Sequence, residues 1–260
     1  MHGGAQYGLI ISLDAQDSGT VPDPDRPALR ERIYRAAEDA FGRAGLGRAR
    51  LVQEDRGDGI LTVVEPRRPE VVAGEWTEYL HQNLRHLNRG LARPLRLRAG
   101  LTVGVFTPDL KGISGAAVDL ACRIGNCAEA KAVLAASPDA PLLVAVTDQL
   151  HQDVIRHGGR WIEPDHYRQY RVRLKEGEQR PWFTVPGRGA PPPASAAGDG
   201  VPTGEDPAPP SAEPAPPEAA GDTFRFGNVT AQDHAQVLQG SFRDITFDHR
   251  SGGSGAGGGA

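Results

Sequence analysis

Apolar residues recur along positions 7–186 with two distinct periods. Residues 7–13 form a short, almost unbroken apolar run that stops at Asp14, as a buried strand does. A polar, Pro-rich loop fills 15–25. Pro27 then opens a helix whose stripe is Leu29, Ile33, Ala37, Ala40 and Phe41, with Gly45 as its stop. Residues 49–53 and 60–64 read as the strands of a hairpin, and the Asp58-Gly59 pair favours a tight reversal between them. Val72, Trp76, Leu80, Leu84 and Leu87 mark a second helix, and 95–105 another strand. Ser114 predicts the cap of one long helix reaching about Ala136, with Val118, Ala121, Ile124, Ala128 and Leu134 on its apolar face. A strand at 142–146, a Thr147-capped helix through Ile155, and strands at 167–174 and 182–185 close the series.

The order β-α-β-β-α-β, with further α and β elements, is that of ferredoxin-like split βαβ folds, so 1–186 is expected to be one mixed α/β domain. After Pro186 the pattern ends. Residues 187–221 are mostly Pro, Ala, Gly, Ser and acids, too polar to offset chain entropy by burial, and predict a disordered tether. Residues 222–250 regain aromatic and β-branched positions, and 251–260 are a Gly/Ser tail.

The 260 residues carry a net charge of −4, which argues against a nucleic-acid partner, since those usually need a basic stripe. No apolar run approaches a membrane span, and the N-terminus lacks a signal-peptide pattern, so a cytoplasmic protein is expected. Cys122 and Cys127 read as reduced small apolar residues, and the eight histidines show no metal-ligand spacing.

The chemistry candidates are acidic. Asp14 ends the first strand and Asp58 sits in the hairpin turn; a split βαβ sheet makes those places neighbours. Two close carboxylates repel unless a cation lies between them. Mg²⁺ or Mn²⁺ would bind them together with substrate phosphate oxygens. The alternative is that Asp58 serves the turn and Asp14 ends the strand. On the long helix Asp119 and Arg123 are four apart and share a face, either as an exposed ion pair or with Arg123 reaching a phosphate.

These residues resemble the class III nucleotidyl cyclases. The strand ending in Asp14 is similar to that family's first metal segment, Gly57-Asp58-Gly59 to its Gly-Asp-Gly turn, and Val118-Asp119-Leu120-Ala121-Cys122-Arg123 to its Val-Asn-x-Ala-x-Arg helix motif. The resemblance spans roughly 8–146. It implies cyclisation of a nucleoside triphosphate with release of pyrophosphate, on two ions held by Asp14 and Asp58 in a head-to-tail homodimer. Arg123 would come from the partner to stabilise the transition state. The substrate contacts it implies are Glu54, Gly57 and the backbone of Ala15, Gln16, Asp17 and Ser18. The chain departs at Asp119, where the family has Asn: an ionised Asp only accepts hydrogen bonds. Glu54 occupies the base-reading position, where the family's guanylyl enzymes carry Glu; its partner position is Gly112. Adenine is thus disfavoured, guanine mildly favoured and a pyrimidine left open; the alternative is that Glu54 is a solvated strand-end residue. A catalytically inactive, nucleotide-sensing or dimerising adaptor is the alternative function.

The segment 222–250 resembles HET-s-type amyloid signalling motifs, whose Ala-x-Val-x-x-Gly core matches Ala235, Val237 and Gly240. That implies an effector carrying a matching motif; a docking peptide is the alternative.

Overall fold

A computed structural model describes residues 4–110, 112–175 and 177–193. Strand β1 (Gln6–Ala15) lies near the middle of the main sheet. Helix α1 (Arg26–Arg43) leads to the hairpin β2 (Arg50–Asp55) and β3 (Gly59–Val64). Then come α2 (Pro69–Val71), a π-helical turn (Val72–Trp76) and α3 (Thr77–Leu87). The chain continues through β4 (Leu97–Asp109), β5 (Gly112–Ser114), α4 (Ala116–Asn126), α5 (Ala128–Ala135), β6 (Leu142–Val146) and α6 (Asp148–Asp153). Four short strands finish it: β7 (Arg168–Gln169), β8 (Val172–Leu174), β9 (Gly177–Gln179) and β10 (Trp182–Thr184). The sheet order is β2-β3-β1-β4-β6-β10-β7, with β5 folded back on β4 and β8-β9 a separate pair. Among the described residues only β4 and β6 run parallel, as a βαβ crossover requires.

Period-two alternation explains how the sheet is covered on both faces. Leu9, Ile11, Leu13, Ala15, Leu97, Ala99 and Leu101 join the core that α1 and α3 cover. Ile10, Leu61, Val63 and Phe106 pack instead with Val118 and Ala121 of α4. Asp14 and Arg98 fall on this second face. Helix α4 comes so close that a Cβ on Gly100 would lie 2.9 Å from the Ala121 carbonyl carbon and 3.1 Å from the Gly125 amide nitrogen. Only glycine fits there.

Several expectations change. The long helix is two helices: Ser114 ends β5, Gly115 precedes α4, and Cys127 breaks the run with an extended backbone (φ −69°, ψ 164°). The Cys127 sulfur caps α5 by accepting from the Ala130 N–H at 3.4 Å. The strand expected at 167–174 is split into β7 and β8. The second helix carries a π turn. Thr147 caps α6 as expected, accepting from Leu150 N–H at 3.4 Å, and Gly45 ends α1 at φ 70°. Past Pro186 the chain still packs on the domain: Pro191 is buried and the Tyr170 hydroxyl donates to the Pro192 carbonyl. The rest of the expected tether, the 222–250 motif and the Gly/Ser tail lie outside the described residues. Among the described residues no helix is long and apolar enough to cross a membrane.

Candidate functional site

The β1–β3 register sets Asp14 opposite Gly59, and the Ala15 N–H donates to the Asp58 carbonyl at 2.9 Å, extending the ladder one step into the turn. The two aspartates are therefore neighbours across the end of two paired strands. The turn is held from outside. Asp55 accepts from the Gly57 N–H (2.7 Å), the Tyr34 hydroxyl (2.8 Å) and the Arg30 guanidinium (Nε, 2.6 Å), which ties the hairpin to α1. Burial alone would raise the Asp55 pKa; these donors outweigh it and hold it below the usual value. Gly57 takes φ 79° at the apex, and Ser18 Oγ donates to Asp58 Oδ2 at 2.5 Å, fixing that carboxylate.

Asp14 is half-buried, and its neighbour across the β1–β4 ladder is Arg98, only 3% exposed. The guanidinium donates to Asp14 Oδ2, to Gln16 Oε1, to Asn126 Oδ1 (3.0 Å) and to the Gly125 carbonyl (3.0 Å). The Asp14 pKa is nonetheless raised. Burial is the largest cause and the Asp58 charge adds to it, while Arg98 and Lys131 pull the other way. Arg98 pairs with one of the two carboxylates and leaves the Asp58 charge beside it. Mg²⁺ and Mn²⁺ take one or two carboxylates and complete their shell with substrate oxygens and water, so this donor set fits such an ion. Among the described residues no group of three or more His, Cys, Asp or Glu could hold a metal; substrate or solvent oxygens would have to complete the shell.

The expected phosphate-contacting amides are partly engaged. Ala15 N–H goes to Asp58, and Gln16 N–H donates to the Arg96 carbonyl at 2.8 Å. Asp17 adopts φ 58° and opens a 3₁₀ turn over Ser18–Thr20. Beside Asp58 lies a cleft of about 730 Å³ whose polar lining is Ser18, Asp23, Arg26, Arg30, Glu31, Tyr34, Arg56 and Asp58.

Glu54 and Gly112 lie side by side. A Cβ on Gly112 would lie 2.8 Å from the Glu54 carboxyl carbon. The Glu54 carboxylate is occupied: Oε1 accepts from the Ile113 N–H, and Oε2 pairs with Arg56 at 2.7 Å. Asp119 and Arg123 form a third group on α4, their charged ends 3.6 Å apart. Sequence reasoning missed Arg98. Its signal was a charge between Leu97 and Ala99, in the half of the strand that is buried on both faces.

No family model and no curated protein matches the chain. Solved structures do. The guanylyl cyclase Cya2 is similar at 17% identity and TM-score 0.51, covering 73% of this chain and 99% of its own. An adenylate/guanylate cyclase/hydrolase from Silicibacter pomeroyi is 18% identical at TM-score 0.52, covering 71% and 99%. A bacterial light-regulated adenylyl cyclase is 14% identical at TM-score 0.50, covering 71% of this chain and 53% of its own. The domain has the fold of the class III nucleotidyl cyclase catalytic domains.

Proposed function

We propose that the domain is a metal-dependent nucleotidyl cyclase, a phosphorus–oxygen lyase that turns a nucleoside triphosphate into a 3′,5′-cyclic nucleotide in signalling. The observation that carries this reading is the β1–β3 register, which makes Asp14 the neighbour of Asp58, itself on the wall of a cleft of ligand size. In the reaction the ribose 3′-oxygen forms a bond to the α-phosphorus, the bond to the pyrophosphate oxygen breaks, and the hydroxyl proton passes to solvent. Asp14 and Asp58 would hold two Mg²⁺ or Mn²⁺ ions. Bound there, the ions supply charge for the triphosphate and acidify the attacking hydroxyl.

The chain's own groups do the rest. Ser18 keeps Asp58 in one rotamer. The Asp17–Ser18 turn, Gly57 and the arginines of the cleft receive the phosphates. Arg123 offsets charge that develops on the α-phosphate and leaving group. Asp119 accepts from a ribose hydroxyl or holds Arg123 in place. Glu54 favours guanine over adenine once it exchanges Ile113 and Arg56 for a base edge. A head-to-tail homodimer would bring Arg123 of one copy to the aspartates of the other; exposed Tyr7, Val105 and Leu110 support a covering partner. The Asp119–Arg123 and Glu54–Arg56 pairs favour the second reading, a nucleotide-sensing adaptor without turnover.

The test is incubation with Mn²⁺ and each of the four ribonucleoside triphosphates, with products resolved by mass spectrometry. A cyclic product from wild type and none from Asp58→Ala is expected. No cyclic product from any of the four would leave the adaptor reading.

A further inference from the structure

Arg98 does more than brace the fold. It lies in register opposite Asp14 and is almost wholly buried, and its guanidinium reaches acceptors on β1, on the loop after β1 and at the end of α4. The Gly125 carbonyl and Asn126 take two of its five N–H donors and tie it to the end of α4. Arg98 also takes an oxygen of the carboxylate that, on the reading above, must bind a cation. Taken together Asp14, Asp58 and Arg98 carry one net negative charge, where the two carboxylates alone would carry two.

We propose that Arg98 is a positioning residue that serves as a built-in counter-ion to Asp14, aiming its free oxygen and holding down the site's affinity for divalent cations until a triphosphate brings its own oxygens. The proposal rests on the reading of Asp14 and Asp58 as metal carboxylates. Its consequence is opposite to that of damage. A fixed positive charge beside a cation site repels the cation, so its removal must tighten binding, whereas a disordered site binds more weakly.

The experiment measures Mn²⁺ binding to the triphosphate-free full-length protein from the free-ion electron paramagnetic resonance signal. Arg98→Gln and Arg98→Met remove the charge and Arg98→Lys keeps it; near-UV circular dichroism verifies the fold of each. Even at a surface-like dielectric, one charge a few ångströms away is worth at least about tenfold in affinity. The neutral variants should therefore bind Mn²⁺ about tenfold more tightly, and Arg98→Lys within about threefold of wild type. Folded neutral variants that bind no more tightly than wild type overturn the proposal. Should neither neutral variant fold, ¹⁵N-arginine spectra of wild type decide: Mg²⁺ should shift the Arg98 side-chain resonance, identified by its loss in Arg98→Lys, and an unmoved resonance overturns it. Asp58→Ala is titrated alongside. Wild-type affinity in that variant would overturn the metal reading itself, a failure distinct from that of Arg98.

Discussion

Gly100→Ala joins packing to chemistry. The added methyl would meet the Ala121 carbonyl carbon at 2.9 Å and the Gly125 nitrogen at 3.1 Å, where ordinary contacts begin near 3.4 Å; the carbonyl oxygen is nearer still. Both obstacles are helix backbone, so no side chain can swing aside and α4 must retreat by about 1 Å. Overpacking of this kind costs about 1–3 kcal/mol, and the stiffer unfolded chain returns at most about 1. With a urea slope near 2 kcal/mol/M, the unfolding midpoint should fall by up to about 1 M. The same shift moves Arg123 and the Gly125 carbonyl that anchors Arg98, and a displacement of about 1 Å costs on the order of 100-fold in turnover. Urea denaturation followed by fluorescence, with Mn²⁺-dependent turnover on the folded variant, checks both halves. A Gly100→Ala protein with wild-type midpoint and wild-type turnover would refute the close α4–β4 contact and its role in placing Arg123.

Other outcomes are equally specific. Asp55 is an acid with a depressed folded pKa, so its contribution to stability is present above the unfolded value near 3.8 and is lost as pH falls through the folded value. Asp55→Asn should therefore be less stable at pH 7, by about 1 kcal/mol, with a difference from wild type that holds down to about pH 4 and closes only as pH falls further, through the depressed folded value, in thermal melts; a pH-independent difference would contradict the ion-paired turn. The buried Cys127 thiol is pushed up to about 11 by desolvation, so at pH 8 a thiol reagent should label Cys122 and reach Cys127 only on unfolding. Mixing inactive Asp58→Ala with inactive Arg123→Ala should restore part of the turnover if sites are shared between copies; a mixture as dead as its parts would count against the head-to-tail dimer.

The strands were legible because buried strands are simple: 7–13, 60–64 and 142–146 are apolar runs with clear ends, and Gly57-Asp58-Gly59 announced its turn. The aspartate pair followed from those two elements alone. What escaped notice was set by tertiary contact. Ile124-Gly125-Asn126-Cys127 reads as continuous helix, yet Arg98 takes the Gly125 carbonyl and the Asn126 side chain, and Cys127 turns to cap the next helix. β5 is three residues long, too short for any period. The π turn at Val72–Trp76 sets Gly74 against the backbone of Arg160, a contact far away in sequence. Glu54 is conspicuous in the sequence only as a strand-end acid; its engagement by Ile113 and Arg56 depends on that same unforeseen β5.

The central claim is that Asp14 and Asp58 form a cation-dependent catalytic pair, and ³¹P NMR of GTP with Mg²⁺ addresses it most directly. Cyclic nucleotide and pyrophosphate resonances should grow one for one with wild-type protein and stay absent with Asp58→Ala. GTP and the other three ribonucleoside triphosphates all left unchanged by wild type, or GTP consumed equally by both proteins, would contradict it.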